Sequence, residues 1–342
     1  MDGRLHDPEV GAAEGLLTGG GAFPTRIEEG EWLALTEAGA PGGGWDEETM
    51  YLSTPDVQPT GVRPLDRALG GGLSQAVTIL GGAPGAGKTA MALQAAANVA
   101  ASGRPVLYFT SELTYKDAWH RVASMRSLTQ GHLQAVGFGQ FPAMASLARR
   151  NIRVRRRDTG ESEREATRMV MHTDPVAQAL ADCVESVRDR LAVVDNATGM
   201  GQVVALTARW RDIHPVVVVD YVQAYADHAK KEYEAVTEAT GALRLMARDL
   251  HVPVLALTSL NRTMNAGDRP SMSWLRGSGQ LEFDAHAIVI LNGEKGMDAP
   301  DDCRVVSLST VKNRTGACLE GPDAPLALLH GRFSAFESYE TE

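Results

Sequence analysis

From Gly61 onward, short continuous apolar runs alternate with longer stretches that mix alanine with charged residues. Val77 to Leu80, Val106 to Thr110, Leu191 to Val194, Val216 to Val219, Val254 to Thr258 and Ala287 to Leu291 have strand length and no polar alternation. That pattern suits parallel strands buried on both faces. Between them Thr89 to Ala101, Lys116 to Ser127, Asp174 to Arg190, Gln202 to Ile213 and Glu232 to Leu250 read as helices. Strand and helix in alternation predict right-handed βαβ units and an α/β domain, a doubly wound, mostly parallel sheet. No internal repeat is found.

Residues 1–58 break the pattern. They hold 11 glycines and 12 Asp or Glu against only Arg4 and Arg26, a net charge of −10 that equals the whole chain's formal charge. The remainder, 59–342, balances at 31 acidic and 31 basic residues. Such an acidic, Gly-rich segment has little apolar surface to offset ordering entropy and reads as mostly disordered. Within it, residues 26–37 (RIEEGEWLALTE) place Ile27, Trp32, Leu33 and Leu35 on one side of a short docking helix, or form a solvated segment. The expected organisation is therefore a tail over 1–58 and one folded domain over 59–342.

Three widely spaced cysteines, Cys183, Cys303 and Cys318, suggest neither a disulfide framework nor a zinc site. No apolar run approaches the roughly 20 residues that span a bilayer, and no signal peptide opens the chain. A cytoplasmic protein without membrane contact is expected.

The strongest chemical signal is Gly82-Ala83-Pro84-Gly85-Ala86-Gly87-Lys88-Thr89, a G-x-x-x-x-G-K-[ST] match between a strand and a helix. Its glycines let successive N–H groups face phosphates, the helix adds its positive end, Lys88 reaches the β- and γ-phosphates, and Thr89 offers a hydroxyl to Mg²⁺. ATP and Mg²⁺ are the implied ligands. Asp220, ending an apolar strand, is placed for the second metal contact, or is a solvated turn carboxylate. Glu112 emerges after Val106 to Thr110 at the same edge, as the general base for an attacking water or as a helix-start carboxylate.

These residues and their order carry a resemblance. GVRPLDRALGGGL, GGAPGAGKTAMAL, VLYFTSELT, VVVVDYVQ, VPVLALTSLNR, LRGSGQLEFDA and VKNRTG follow one another as in the RecA-like ATPase domain of DnaB-type replicative helicases of superfamily 4, over roughly residues 59 to 340. The resemblance implies a RecA-like P-loop fold and an ATP-dependent DNA helicase in DNA replication. Such a motor works on single-stranded DNA as a homo-oligomeric ring, a hexamer. It implies that Glu112 activates water, that Lys312 and Arg314 reach into a neighbouring subunit's nucleotide, and that a lone protomer is nearly inactive. It also implies DNA contact from the segment Arg262 to Gln280, with Arg262, Arg269 and Arg276 as cations and Gly277, Ser278 and Gly279 offering backbone N–H groups. Trp274 in that segment stacks on a base or packs in the core.

Departures accompany the matches. The family usually has a γ-phosphate-sensing glutamine where this chain has Ser259, and a glutamate where it has Gly277. The family's helical collar, through which primase is bound, has no counterpart in the acidic segment, so primase binding is not expected. A second cation cluster, Arg149, Arg150, Arg153, Arg155, Arg156 and Arg157, precedes Asp158, Glu161, Glu163 and Glu165. Ion pairing on a solvated face is its favoured account, and tracking of a nucleic acid backbone the other. The rival functions are a RadA- or KaiC-like RecA-core ATPase that unwinds no strand, and a nucleotide-binding module without turnover.

Overall fold

All six apolar runs become strands of one sheet in the computed structural model, each within a residue or two of its expected bounds. Described here are residues 57–129, 135–260, 270–275, 278–294 and 296–339. The chain divides into a unit Met1–Asp56 and a unit Val57–Glu342, and the docking helix expected at 26–37 lies outside the described residues. The folded unit takes in Val57 and Gln58, since Gln58 forms an antiparallel bridge with Leu73.

The strands are β1 Val77–Gly82, β2 Val106–Thr110, β3 Leu191–Val194, β4 Val216–Asp220, β5 Val254–Ser259, β6 Ala287–Gly293, β7 Cys303–Asn313, β8 Leu326–His330 and β9 Ala335–Ser338. Their order is β3-β2-β4-β5-β1-β6-β7-β8-β9, parallel through β6 and antiparallel beyond it. The helices are α1 Arg63–Leu69, α2 Lys88–Ala101, α3 Tyr115–Thr129, α4 Phe141–Thr159, α5 Glu163–Thr173, α6 Pro175–Glu185, α7 Met200–Arg209, α8 Glu232–Asp249 and α9 Ser278–Asp284.

Period-two alternation along the parallel strands explains why they lack polar positions. Leu80, Tyr108, Val218, Leu257 and Val289 face one core with α1, α2 and α3, whereas Ile79, Phe109, Val219, Ala256 and Ile290 face a second core with α7 and α8. Both faces are dry, and each fully buried Leu, Ile or Phe contributes about 1.5–3 kcal/mol. The buried alanines of α2, including Ala90, Ala92, Ala95 and Ala96, present small side chains where that helix lies on the sheet.

Of the parts of the fold that lay outside the sequence reading, β7 is one and the pair α4 and α5 another. In β7 the polar Ser307, Ser309 and Thr310 are buried among Val305, Val306 and Leu308. Thr310 hydrogen-bonds the Ala68 carbonyl at 2.8 Å, which lets a mixed polar run serve as a core strand. Helices α4 and α5 are mostly exposed and carry few buried apolar residues. Among the described residues no helix is long and apolar enough to cross a membrane.

Candidate active site

A cavity of about 890 Å³ opens at the carboxyl edge of the parallel strands, where ligands bind in open α/β sheets. Pro84, Gly85, Gly87, Lys88 and Thr89 form one wall, with Glu112, Asp220 and Ser259 on the others. The P-loop geometry is set by backbone rather than side chains. Gly87 sits at φ 99°, and a Cβ there would lie 2.7 Å from the Phe336 ring and 2.9 Å from Leu329. Only glycine fits both the conformation and the space. From Gly87 the chain enters α2 directly, so the first-turn N–H groups and the positive helix end face the cavity.

Lys88 folds back onto the start of its own loop, its ammonium donating to the carbonyls of Gly82 at 2.7 Å and Ala83 at 3.1 Å. Burial lowers its pKa, and the charges of Asp220 and Glu112 oppose that shift. Asp220 is 2% exposed, and burial pushes its pKa up to about 6. Hydrogen bonds from Thr89 and Tyr108 pull the other way, and nearby Glu112 adds to the rise. The Tyr108 hydroxyl donates to the Asp220 carboxylate at 2.9 Å from the neighbouring strand, fixing its orientation.

Thr89 and Asp220 therefore put a hydroxyl and a carboxylate side by side beside Lys88. Both are hard oxygen donors of the kind Mg²⁺ takes, and Mg²⁺ needs only one or two protein ligands when phosphates complete its shell. The donor set fits that ion. Among the described residues no group of three or more His, Cys, Asp or Glu forms a separate metal site.

The cavity also contains residues to which the sequence reading gave no role. Arg304, from β7, hydrogen-bonds the Gly85 carbonyl of the P-loop and lines the cavity. Arg121, from α3, lines it too, with its guanidinium 4.8 Å from the Phe138 ring and 3.3 Å from the Ser334 hydroxyl. Gln223, the last residue of DYVQ, lines it and donates to the Thr258 hydroxyl at 2.6 Å. Thr258 is fully buried, so it is Ser259 and Gln223, not Thr258, that present polar groups to the cavity.

Lys312 and Arg314 lie elsewhere. Lys312 hydrogen-bonds the Glu282 carbonyl, and Arg314 donates to the Phe283 carbonyl at 2.9 Å, so both rest on α9. Burial and the Arg314 charge lower the Lys312 pKa. The Arg314 N–H bonds the His286 carbonyl, and the His286 N–H bonds the Val77 carbonyl at the first residue of β1. Val77 is five residues before Gly82, about 16 Å along the strand at the usual rise. Neither cation lines the cavity of its own chain.

Of the residues expected to touch DNA, Arg262, Arg269, Arg276 and Gly277 lie outside the described residues. Gly279 lies in the first turn of α9, and a Cβ on it would lie 2.9 Å from the Tyr233 hydroxyl. Trp274 is half-buried and packs against the second core, which answers the packing alternative. The arginine cluster lies on a mostly exposed helix, α4, and among the described residues only half of it is ion-paired. Arg155 pairs with Glu161 at 2.7 Å, Arg156 with Glu163 at 3.2 Å and Arg157 with Asp158 at 3.1 Å.

The comparisons with known proteins agree with this geometry. The family model described as DnaB-like helicase C terminal domain matches residues 58–149 and 143–321, its two pieces meeting within α4. Replicative DNA helicase DnaB of Geobacillus stearothermophilus is 26% identical over 272 residues, covering 75% of this chain and 52% of that protein. A solved DnaB-like replicative helicase superposes with a TM-score of 0.64 at 20% identity, over 97% of this chain and 76% of that one. A KaiC-like protein from Pyrococcus horikoshii superposes less well, at 0.51 and 15% identity over 84% of this chain and all of the other. Both structural likenesses establish the RecA-like fold. The chain spans about half the length of the curated relatives it matches. The family model covers well over half of the residues, including the P-loop, Glu112 and Asp220: the chain belongs to the DnaB-like helicase C-terminal domain family.

Proposed function

We propose that this chain is an ATP-driven motor that moves along single-stranded DNA and opens duplex DNA during replication, as a cytoplasmic ring of identical subunits. The observation that carries the reading is the separation of Lys312 and Arg314 from a cavity that otherwise holds a complete set of hydrolytic groups. Two cations stranded at the opposite edge of the sheet have no use at their own site. They acquire one when another copy of the chain presents its cavity to them, and a closed ring, a hexamer, lets every site be completed in that way.

In this reading each group has a defined task. The P-loop N–H groups and Lys88 hold the ATP phosphates. Thr89 and Asp220 would hold magnesium, which would supply charge neutralisation to the phosphates. Glu112 accepts the proton of the attacking water, and Tyr108 keeps the Asp220 carboxylate turned toward the cavity. Arg314 and Lys312 of the adjoining copy stabilise charge that develops as the terminal phosphate leaves. Because one nucleotide then touches two subunits, its hydrolysis changes how they pack, and that change moves the segment Arg262 to Gln280 along the strand. Contacts there read phosphates, so binding is independent of sequence and sensitive to salt.

The test is the ATP hydrolysis rate with and without single-stranded DNA, together with strand displacement on a forked duplex and native mass in the presence of nucleotide. Stimulated hydrolysis, displacement and a mass of several subunits are expected. Hydrolysis indifferent to DNA with no displacement would favour the KaiC-like alternative.

A further inference from the structure

The proposed motor accounts for the sheet edges but leaves α4 without a task. This helix carries six arginines against one carboxylate, Asp158, and its cations are all arginine rather than lysine. Arg155 is held by both oxygens of Glu161, at 2.7 and 2.8 Å. The pairs Arg156–Glu163 and Arg157–Asp158 are exposed, and such pairs contribute about 0–1 kcal/mol each. Arg149, Arg150 and Arg153 are exposed and have no carboxylate of the described residues within ion-pair distance. At 3.6 residues per turn these three fall on one side of the helix, and Arg156 and Arg157 extend that side by a further turn.

We propose that this side of α4 is a second binding surface for the phosphodiester backbone of a nucleic acid strand, separate from the segment Arg262 to Gln280. The proposal rests on the motor reading above, because that reading supplies a strand to be bound. Charge complementarity argues for the occupant: an uncompensated row of guanidinium forks matches phosphate oxygens two at a time. A polyanion needs no anchoring pocket, whereas a tight protein partner does. The only large apolar residues exposed on this helix are Leu147 and Val154, at 56% and 44%, with no aromatic among them, which is too little for a membrane surface. The root of α4 lies beside the nucleotide cavity: Phe138, three residues before α4, lines that cavity, and Phe141 stacks on His120 of α3 at 4.6 Å.

The experiment measures the full chain's affinity for a labelled oligothymidylate by fluorescence anisotropy across a salt series, with wild type and with the triple variant Arg149→Glu, Arg150→Glu, Arg153→Glu. Three lost phosphate contacts at about 0.7 each make the log–log salt slope shallower by about 2. Between about 50 and 200 mM salt the wild type should therefore lose roughly 20-fold more affinity than the variant. DNA-independent ATP hydrolysis should be unchanged, since none of the three lines the cavity. A control triple, Arg63→Glu, Arg209→Glu and Arg211→Glu, alters net charge equally elsewhere and should leave the slope near that of wild type. If the glutamate triple melts at a lower temperature, the corresponding glutamine triple replaces it and should shift the slope in the same direction.

An unchanged slope and affinity in the triple variant, or an equal loss in the control, overturns the proposal while leaving the motor reading intact. A labelled peptide of residues 1–58 that binds wild type but not the triple, with oligonucleotide binding unaltered, also overturns it and assigns the face to an acidic protein segment. Failure of the motor reading shows separately, as a wild type whose hydrolysis ignores DNA and which opens no fork, and the anisotropy result stands apart from it.

Discussion

The two edges of the central sheet carry the same kinds of charged group in opposite settings. At the carboxyl edge Asp220 is buried and Lys88 half-buried, each within electrostatic reach of the other and of Glu112, and burial moves the pKa values of both Lys88 and Asp220 toward the neutral forms. At the other edge Lys312 and Arg314 are partly or largely exposed and satisfied by backbone carbonyls of α9, and neither lines the cavity. About 16 Å of strand separates them. The first edge is organised to hold charge that arrives from outside the protein. The second holds cations in a fixed direction on a rigid element, as a group meant for another molecule must be held.

The sharpest way to break this comparison is to remove the far-edge cation. Arg314→Ala should lower ATP hydrolysis by about 10³–10⁵ while leaving nucleotide affinity nearly intact, if it acts at a neighbour's site. Mixing it with a Glu112→Gln chain should restore part of the rate, because some interfaces then combine an intact Glu112 with an intact Arg314. Steady-state hydrolysis of the mixture against each pure variant is the measurement, and no recovery would put Arg314 outside any shared site.

Glu112→Gln probes the near edge. Loss of the general base should cost about 10²–10⁴ in turnover. Binding of a labelled ATP analogue should be unchanged, and hydrolysis at the wild-type rate would remove Glu112 from the mechanism.

Gly87→Ala tests whether backbone geometry or side-chain chemistry dominates that edge. A methyl group 2.7 Å from Phe336, on a residue at φ 99°, should lower the melting temperature and abolish nucleotide-dependent stabilisation. Thermal melts with and without ATP report both effects.

The smallest effect is one of sign. The Asp220 pKa is raised in the folded state to about 6 from 3.8, so between those values the folded protein binds the extra proton. Nucleotide-free stability should then fall as pH rises from 4 to 6 and stay lower above that range. Asp220→Asn should remove this slope and raise nucleotide-free stability at pH 8 by an amount on the order of 2 kcal/mol, while weakening Mg²⁺-dependent binding. Denaturant titrations at several pH values decide it, and a variant less stable than wild type at pH 8 would refute the assignment.

Legibility followed the range of the interactions. The P-loop, Glu112 and Asp220 were readable because each stands in or just after an apolar strand, and strand ends are written in a few consecutive residues. Arg121 and Arg304 were not readable. Neither stands in a recognisable motif, and their nearness to the P-loop arises only when α3 and β7 fold over it, 33 and 216 residues from Lys88 in sequence. Tyr108 looked like one more core aromatic of β2, and its hydroxyl's partner lies 112 residues away. The arginine cluster was legible as a charged surface. Which of its members stay unpaired depended on how α5 turns its Glu163, and the linking Glu161, back toward α4.

By itself the sequence determined the parallel strands, the phosphate loop between β1 and α2, and the family to which the order of motifs points, because hydrophobic periodicity and turn chemistry are local properties of the chain. The tertiary structure alone decided that burial lifts the Asp220 pKa to about 6, that two unheralded arginines reach the cavity, and that Lys312 and Arg314 stand at the far edge. Those outcomes depend on desolvation and on distances between residues far apart in sequence, quantities that exist only once the sheet has brought its strands together.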